Sequence, residues 1–480
     1  MLYLSRHWDI SQDSKLIHYV VFLMRHGYVP YRDIIEINLP GSYLMEWVGM
    51  KFFGPGRVGW RCYDLFLTAI SAICAGRMAR PRGRAAAYGA AALLVIYHLG
   101  RGISEAGQRD FEMSGLLMIG IVAFFSSLTA RRSWRMVVFG VCCGLAAGIK
   151  PFVILVPLMA LVALYLKTRR EGARIVLSPT FTSYAGWAIA GGLLPAAALV
   201  GFLWSNHLWR EFHELVTGIA LYHRGIGNEP WSHRFISWLP WHFAPLLLVG
   251  FYASLRLWPH WEWEEVFIAG LAVFGIATYF YQGKGWAYHV AMGWSFLLIW
   301  IVRMTAGWLQ QIDTGKNWAS ARGTLVVAVA VLIAVVYTPV SAYRHQSKEK
   351  SIWENTLTAD LNDLGGANLS GHIQCLDWNA GCIAVLYEQR WLPATGFIYD
   401  YFLFPQSPAS ITELEQKRFL GLMEGAPPKV IVLSDMDWPV FTRFRKLERW
   451  PAFRDWLDAN YRLTVERQIN DRAYRIYVSR

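Results

Sequence analysis

Residues 324–343 read TLVVAVAVLIAVVYTPVSAY, twenty positions without a single charge. A helix of roughly 20 apolar residues is what the hydrocarbon layer of a bilayer requires. Nine further apolar runs lie upstream, at about 60–76, 85–99, 113–130, 136–149, 151–167, 182–204, 241–257, 266–281 and 288–308. Two of them, 136–149 and 151–167, are short and meet at Lys150-Pro151. Proline disfavours one continuous helix there, so a tight helical pair or a re-entrant unit is expected. The composition agrees. Of 480 residues 55% are hydrophobic and 17% charged, against about 25% charged in a soluble domain. A disordered chain, a collagen, a disulfide miniprotein and an ordinary soluble enzyme are all excluded. The predicted fold is a polytopic α-helical membrane protein with about ten transmembrane helices.

The net charge of +12 would suggest nucleic acid in a soluble protein. Its distribution removes that reading. Residues 344–480 contain 17 basic and 17 acidic residues, so the whole excess lies in 1–343 with the apolar runs. The chain therefore divides into a membrane domain, 1–343, with its first loop at 1–59, and a polar tail, 344–480, large enough to fold alone. Basic clusters follow the first run (Arg77, Arg80, Arg82, Arg84), the third (Arg131, Arg132, Arg135) and the fifth (Lys167, Arg169, Arg170, Arg174). These loops share one side, the cytoplasm by the positive-inside rule. Residues 1–59, 100–112, the Lys150 turn, 205–240, 282–287 and the tail then face the other side, which makes a bacterial inner-membrane protein with a periplasmic tail. Met1–Asp9 has no signal-peptide core, so one more helix before Met1 is expected, giving eleven.

Cys62, Cys74, Cys142 and Cys143 sit in apolar runs and read as small core residues. Cys375 and Cys382 are in the tail, where an oxidising compartment would permit a disulfide. Strands are expected at His372–Leu376, Val430–Leu433, Arg462–Arg467 and Ala473–Val478. Helices are expected at Ala380–Glu388, Ile411–Met423 and Pro451–Ala459, giving a small α/β domain. Asp435 and Asp437 follow a strand, where α/β folds often bind ligands; as turn residues they need no such role.

The stretch 9–50, DISQDSKLIHYVVFLMRHGYVPYRDIIEINLPGSYLMEWVGM, opens with a short amphipathic helix at 15–25 that suits the interface. A turn and a second helix near Pro40 follow. Gly27, Val29, Pro30, Tyr31, Arg32, Asp33, Glu36, Asn38, Pro40, Gly41 and Tyr43 make this stretch resemble the first periplasmic loop of bacterial GT-C glycosyltransferases. That group includes protein O-mannosyltransferases and lipid-A aminoarabinose transferases. Gly107-Gln108-Arg109-Asp110, Gly144–Pro151 and Tyr281–His289 resemble later motifs of the same group, in the same order. The resemblance implies transfer of a sugar, with inversion, from a polyprenyl-phosphate donor to an extracytoplasmic glycan, lipid or protein. It places the catalytic Asp at Asp13, with Asp9 a close rival. Ser14 stands where the family often has a second carboxylate, which leaves Glu36 or Asp110 for that role.

The chemistry gives each residue two readings. A carboxylate at the interface suits the base that takes the acceptor proton, yet Asp13 also suits a helix start. Asp110 at the mouth of a span is favoured by the helix dipole in any case. Lys150, Lys284, His289 and Arg224 lie on the side where cations are disfavoured; they snorkel or meet the donor phosphate. Arg32, Asp33 and Arg109 position the acceptor or the loop. The aromatic-rich 205–240 loop is an interfacial belt or the wall of a lipid groove. His213-Glu214-Leu215-Val216-Thr217 lacks the second histidine of a zinc-protease helix. No nucleotide or cofactor motif occurs, and a divalent metal is neither called for nor ruled out. The alternatives are a transporter or lipid-glycan flippase, and a non-enzymatic scaffold. Transporters place ionisable groups at the midplane of repeated halves, whereas here the acidic candidates sit at span ends and no repeat is seen.

Overall fold

A computed structural model describes residues 5, 8–170, 179–218, 227–313, 318–344, 349–377, 381–400, 402–405, 410–437 and 440–480. Among them eight helices are long and apolar enough to cross a membrane: Arg57–Arg82, Arg84–Ser104, Arg109–Thr129, Pro151–Arg169, Phe181–Ser205, Trp263–Gln282, Ala287–Ile312 and Ala321–Tyr343. Trp231–Trp238 and Trp241–His260 make a ninth if read as one span bent by 57°. Ser133–Ala147 is apolar but short. Each of the ten predicted runs thus falls on a helix. The shortfall against ten has two causes: the bend before Trp241, where Pro240 cannot donate a helical N–H, and the brevity of the helix that ends before Lys150-Pro151.

The chain forms two compact units by contact rather than by chain order: 1–9 with 57–200 and 229–346, and 10–56 with 201–228 and 347–480. The first is the multi-pass membrane unit. Its centre is the helix Ala287–Ile312, whose apolar stretch is 89% buried. Small residues let neighbours approach it. A Cβ on Gly275 would lie 2.5 Å from the Gly293 nitrogen, so these two backbones touch, as in small-residue membrane crossings. At the other extreme Phe181–Ser205 is only 11% buried and presents Trp187, Ile189, Leu193 and Leu194 outward, the pattern of a helix facing lipid.

One end of this unit is locked by ions. Arg303, fully buried, donates through Nε to Glu265 at 3.0 Å and through Nη2 to Glu264 at 2.8 Å. Arg82 reaches the same Glu265 at 2.9 Å. Removing one partner of a buried pair strands the other charge, at about 3–5 kcal/mol. Arg303→Met is therefore expected to cost about 3 kcal/mol, the low end because Arg82 still serves Glu265. A denaturant titration of the purified protein measures it, and Arg303→Met with Glu264→Gln should recover part of the loss.

The second unit is built on a four-stranded sheet. Its strands are β1 (Ile373–Leu376), β2 (Val430–Ser434), β5 (Tyr461–Ile469) and β6 (Arg472–Ser479), in the order β1-β2-β6-β5. A separate ribbon pairs β3 (Met436–Asp437) with β4 (Val440–Phe441). Strands β1 and β2 are parallel and the other pairings of the large sheet are antiparallel. The parallel pair needs a crossover, supplied by helices Gly381–Gln389 and Ser410–Gly425. All four strands and all three tail helices expected from the sequence are present within two residues. The helix Glu349–Asp363 was not expected. Cys375 and Cys382 are disulfide-bonded, with Cα atoms 5.9 Å apart.

Residues 10–56 are woven into this same unit. Lys15, fully buried, pairs with Glu354 at 2.7 Å. His18 stands between Glu46 at 2.8 Å and the Tyr387 hydroxyl at 3.1 Å. The Ile35 N–H donates to the Gly396 carbonyl at 2.8 Å. A Cβ on Gly396 would lie 2.0 Å from the Asp33 carbonyl oxygen, so only glycine permits this seam.

Candidate active site

The membrane unit gathers buried ionisable groups around the 102–110 turn. Asp110 opens the helix Arg109–Thr129 and is 1% exposed. Its carboxylate lies 2.8 Å from the Lys150 ammonium. Lys150 takes extended backbone just before Pro151, as a pre-proline residue must, and this ends the Met136–Ala147 helix. The same ammonium donates to Gln282 Oε1 at 3.0 Å. Gln282 closes the helix Trp263–Gln282, which is capped by Gly283 in the left-handed region. Asp110, Lys150 and the Gln282 end of that helix are therefore one constellation, joined from three distant parts of the sequence.

Lys284 and His289 lie two and seven residues after Gln282 and are both buried. Burial pushes the Lys284 ammonium down to about 8. The His289 ring packs edge-on against Trp286 and Tyr288. Arg109 is half-buried at the same helix start as Asp110. Arg224 lies outside the described residues.

A second layer holds the turn that presents Asp110. Asp64, inside a span and fully buried, accepts from His98 Nε2 at 2.9 Å and from the Gly107 N–H at 2.8 Å. It is also paired with Arg61. Glu105 sits 3.4 Å from Arg101 and 3.7 Å from His98. His98 stacks on Phe111 with centroids 3.8 Å apart. Gly107 has φ +60°, and a Cβ there would fall 1.9 Å from Trp60 Nε1; the turn needs glycine on both counts. These groups escaped the reading of the sequence. The signal was there: an ionisable residue inside a membrane helix is a functional or structural anchor by default, and Asp64 and His98 both lie within apolar runs.

The other unit holds the remaining candidates. Asp13 lies in the first turn of the helix Gln12–Arg25, half-buried, two residues inside the cap position held by Ser11. It is thus not the cap itself. Asp33 closes the VPYRD turn. Its Oδ2 accepts the Val29 N–H at 2.9 Å, and both its oxygens accept from Arg32, at 3.0 and 2.9 Å. The Arg32 guanidinium holds the Asp33 carboxyl below the usual range. Tyr31 sits at the centre of that turn, fully buried at φ +73°, and donates to the Asn38 carbonyl at 2.6 Å. Glu36 is fully buried; it accepts from the Asn38 N–H at 2.6 Å, from Tyr43 and from Tyr399 at 3.3 Å. The motif that carried the resemblance is therefore a self-knotted loop. In the tail, Asp437 is clamped by both Arg449 nitrogens at 2.6 Å, while burial raises Asp435.

The whole chain superposes on one known architecture. The crystal structure of ArnT from Cupriavidus metallidurans bound to undecaprenyl phosphate matches with a TM-score of 0.55 at 14% identity, over 98% of this chain and 95% of that one. The fold is that of ArnT. The apo form of the same enzyme gives a TM-score of 0.52 at 13% identity, over 99% and 95% of the two chains. No family model matches the sequence, and no curated protein is similar to it. The ArnT fold thus reaches this chain through structure, at an identity where pairwise sequence comparison falls silent.

Proposed function

We propose that this protein is a membrane glycosyltransferase of the GT-C type, moving a sugar from a polyprenyl-phosphate donor to an extracytoplasmic glycan, lipid or protein. The observation that carries the reading is the end-to-end likeness to ArnT, whose crystal structure holds undecaprenyl phosphate. The buried Asp110–Lys150 pair adds to it, because a cation held at a span end suits a lipid phosphate at headgroup depth. The bonded Cys375 and Cys382 support a tail in an oxidising compartment, the periplasm of a bacterial inner-membrane protein.

In this mechanism an acceptor hydroxyl attacks the anomeric carbon from the face opposite the phosphate. The new C–O bond forms as the bond to phosphate breaks, which inverts the centre. Asp13 takes the hydroxyl proton, and the bonding pair leaves on the polyprenyl phosphate. Lys150, Lys284 and His289 hold that phosphate and offset the charge it gains. Asp110 keeps Lys150 charged and aimed. Glu36, Arg32 and Asp33 keep the loop in shape, and Arg109 positions the acceptor.

The test is transfer of labelled sugar from polyprenyl-phosphate donors in membranes containing the full chain. Covalent product supports the reading; movement of an intact lipid with no product would make the protein a flippase. Lys284 adds a pH signature. It is charged below about 8 and neutral above, so donor capture weakens as pH rises through that value. The kcat/KM for donor, which reports free-enzyme groups, should fall as pH rises above it and then level off, since the other cations remain. Lys284→Arg should carry the falling limb to higher pH.

A further inference from the structure

We propose that the membrane unit carries a second lipid site, for an anionic diacyl phospholipid, at the end opposite the Asp110 constellation. A groove of about 790 Å³ opens between the helices Ala244–Leu257, Ala291–Asp313 and Trp318–Arg344. Its volume falls in the range of ligand pockets, about 300–1,000 Å³. One part of its wall is aliphatic, from Leu248, Val249, Ile312 and Val326. The other part carries two exposed guanidiniums, Arg256 and Arg322.

Two aromatic rings, Tyr252 and Trp308, also line the groove. Tyr252 meets Trp308 edge-on at 5.3 Å, and Arg256 Nε donates to the Tyr252 hydroxyl at 3.1 Å. Gly323 keeps the groove open at this point: a Cβ there would lie 3.1 Å from the Trp308 ring and 3.0 Å from Ile312. No carboxylate is among the described lining residues. Two exposed guanidiniums beside an apolar trough are the complement of a lipid with an anionic headgroup.

The position agrees. Gln310, on the helix that bears Trp308 and Gln311, donates to the Arg82 carbonyl at 2.8 Å. The groove therefore opens at the level of the Arg77–Arg84 cluster, the cytoplasmic end by the positive-inside rule. Basic pockets between helices on that side suit anionic phospholipid heads. The site does not depend on the glycosyl-transfer reading, which concerns the other end of the helices.

Native mass spectrometry of the full-length protein, titrated with phosphatidylglycerol or phosphatidylcholine of identical acyl chains, tests this. Two guanidiniums near the surface predict about a thirtyfold preference for phosphatidylglycerol. Arg256→Gln with Arg322→Gln should abolish the preference, and the lysine pair should keep most of it. Arg132→Gln, an exposed arginine in another loop, should change nothing. Equal binding of the two lipids overturns the proposal, as does a preference that survives the double glutamine variant or is lost equally with Arg132→Gln. Displacement of phosphatidylglycerol by inorganic phosphate alone would make it a free-anion site and overturn it too.

Discussion

Asp13→Asn is expected to lower sugar transfer by about 10²–10⁴-fold, the usual contribution of a positioned general base. The substitution is nearly isosteric and removes the charge and the ability to take a proton. Asp13 is half-buried in the first turn of its helix and does not occupy the cap position, which Ser11 holds. Loss of its charge near a helix N-terminus costs about 0.3–1 kcal/mol, too little to unfold the unit. Rate and fold should therefore separate: kcat falls while the melting curve and the donor KM stay close to those of the parent. Asp9→Asn is the matched control. If Asp9→Asn abolishes transfer and Asp13→Asn does not, the base has been placed on the wrong carboxylate. A melting curve that falls in step with kcat would instead mark Asp13 as a structural residue.

On the proposed reading, Lys150→Met should lower transfer sharply and also weaken the fold, for two separable reasons. Lys150 meets Asp110 at 2.8 Å, and Asp110 is 1% exposed. With the ammonium gone, the carboxylate is left buried without its cation, at about 3–5 kcal/mol. Adding Asp110→Asn removes that stranded charge, so the double variant should regain most of the stability. On the proposed reading it should regain little transfer, because one of the cations assigned to the donor phosphate is still missing. Melting curves and transfer assays on the two single variants and the double variant form a complete cycle. Recovery of transfer in the double variant would show that Lys150 acts only as a counter-ion to Asp110.

The helices were legible because their cause is local. Membrane insertion demands runs of apolar residues long enough to cross, and each such run in this sequence is a helix. The tail strands were legible for the same reason: Val430–Leu433 and Ala473–Val478 carry their β character in their own residues. The site was legible only in fragments. Asp110, Lys150 and the Gln282–His289 stretch could each be noticed as ions or polar residues at span ends. Nothing in their spacing said that Lys150 would reach both Asp110 and Gln282. Asp64 and His98 went unnoticed, since each is one polar residue in an apolar run and gains meaning only from the other, 2.9 Å away.

Glu36 shows how far the partners of one side chain can lie from it in the sequence. As a carboxylate in a motif it reads as a catalytic candidate, yet its oxygens are taken by Asn38, Tyr43 and Tyr399. Two of those partners lie within seven residues and one lies in the tail. Residues 10–56 likewise read as the first loop of the membrane domain but share a compact unit with 347–480.

The sequence by itself determined the membrane class, the helix positions, the clustering of basic residues between apolar runs and the α/β tail, because hydropathy, charge and β propensity act over a few residues at a time. Only the tertiary structure decided which charges meet. A buried ion is tolerable only beside a partner, and that partner can come from any helix the packing brings near. Lys150 found Asp110 and Arg303 found Glu265 through small-residue helix crossings and a central helix that contacts many neighbours, and no local pattern encodes such meetings.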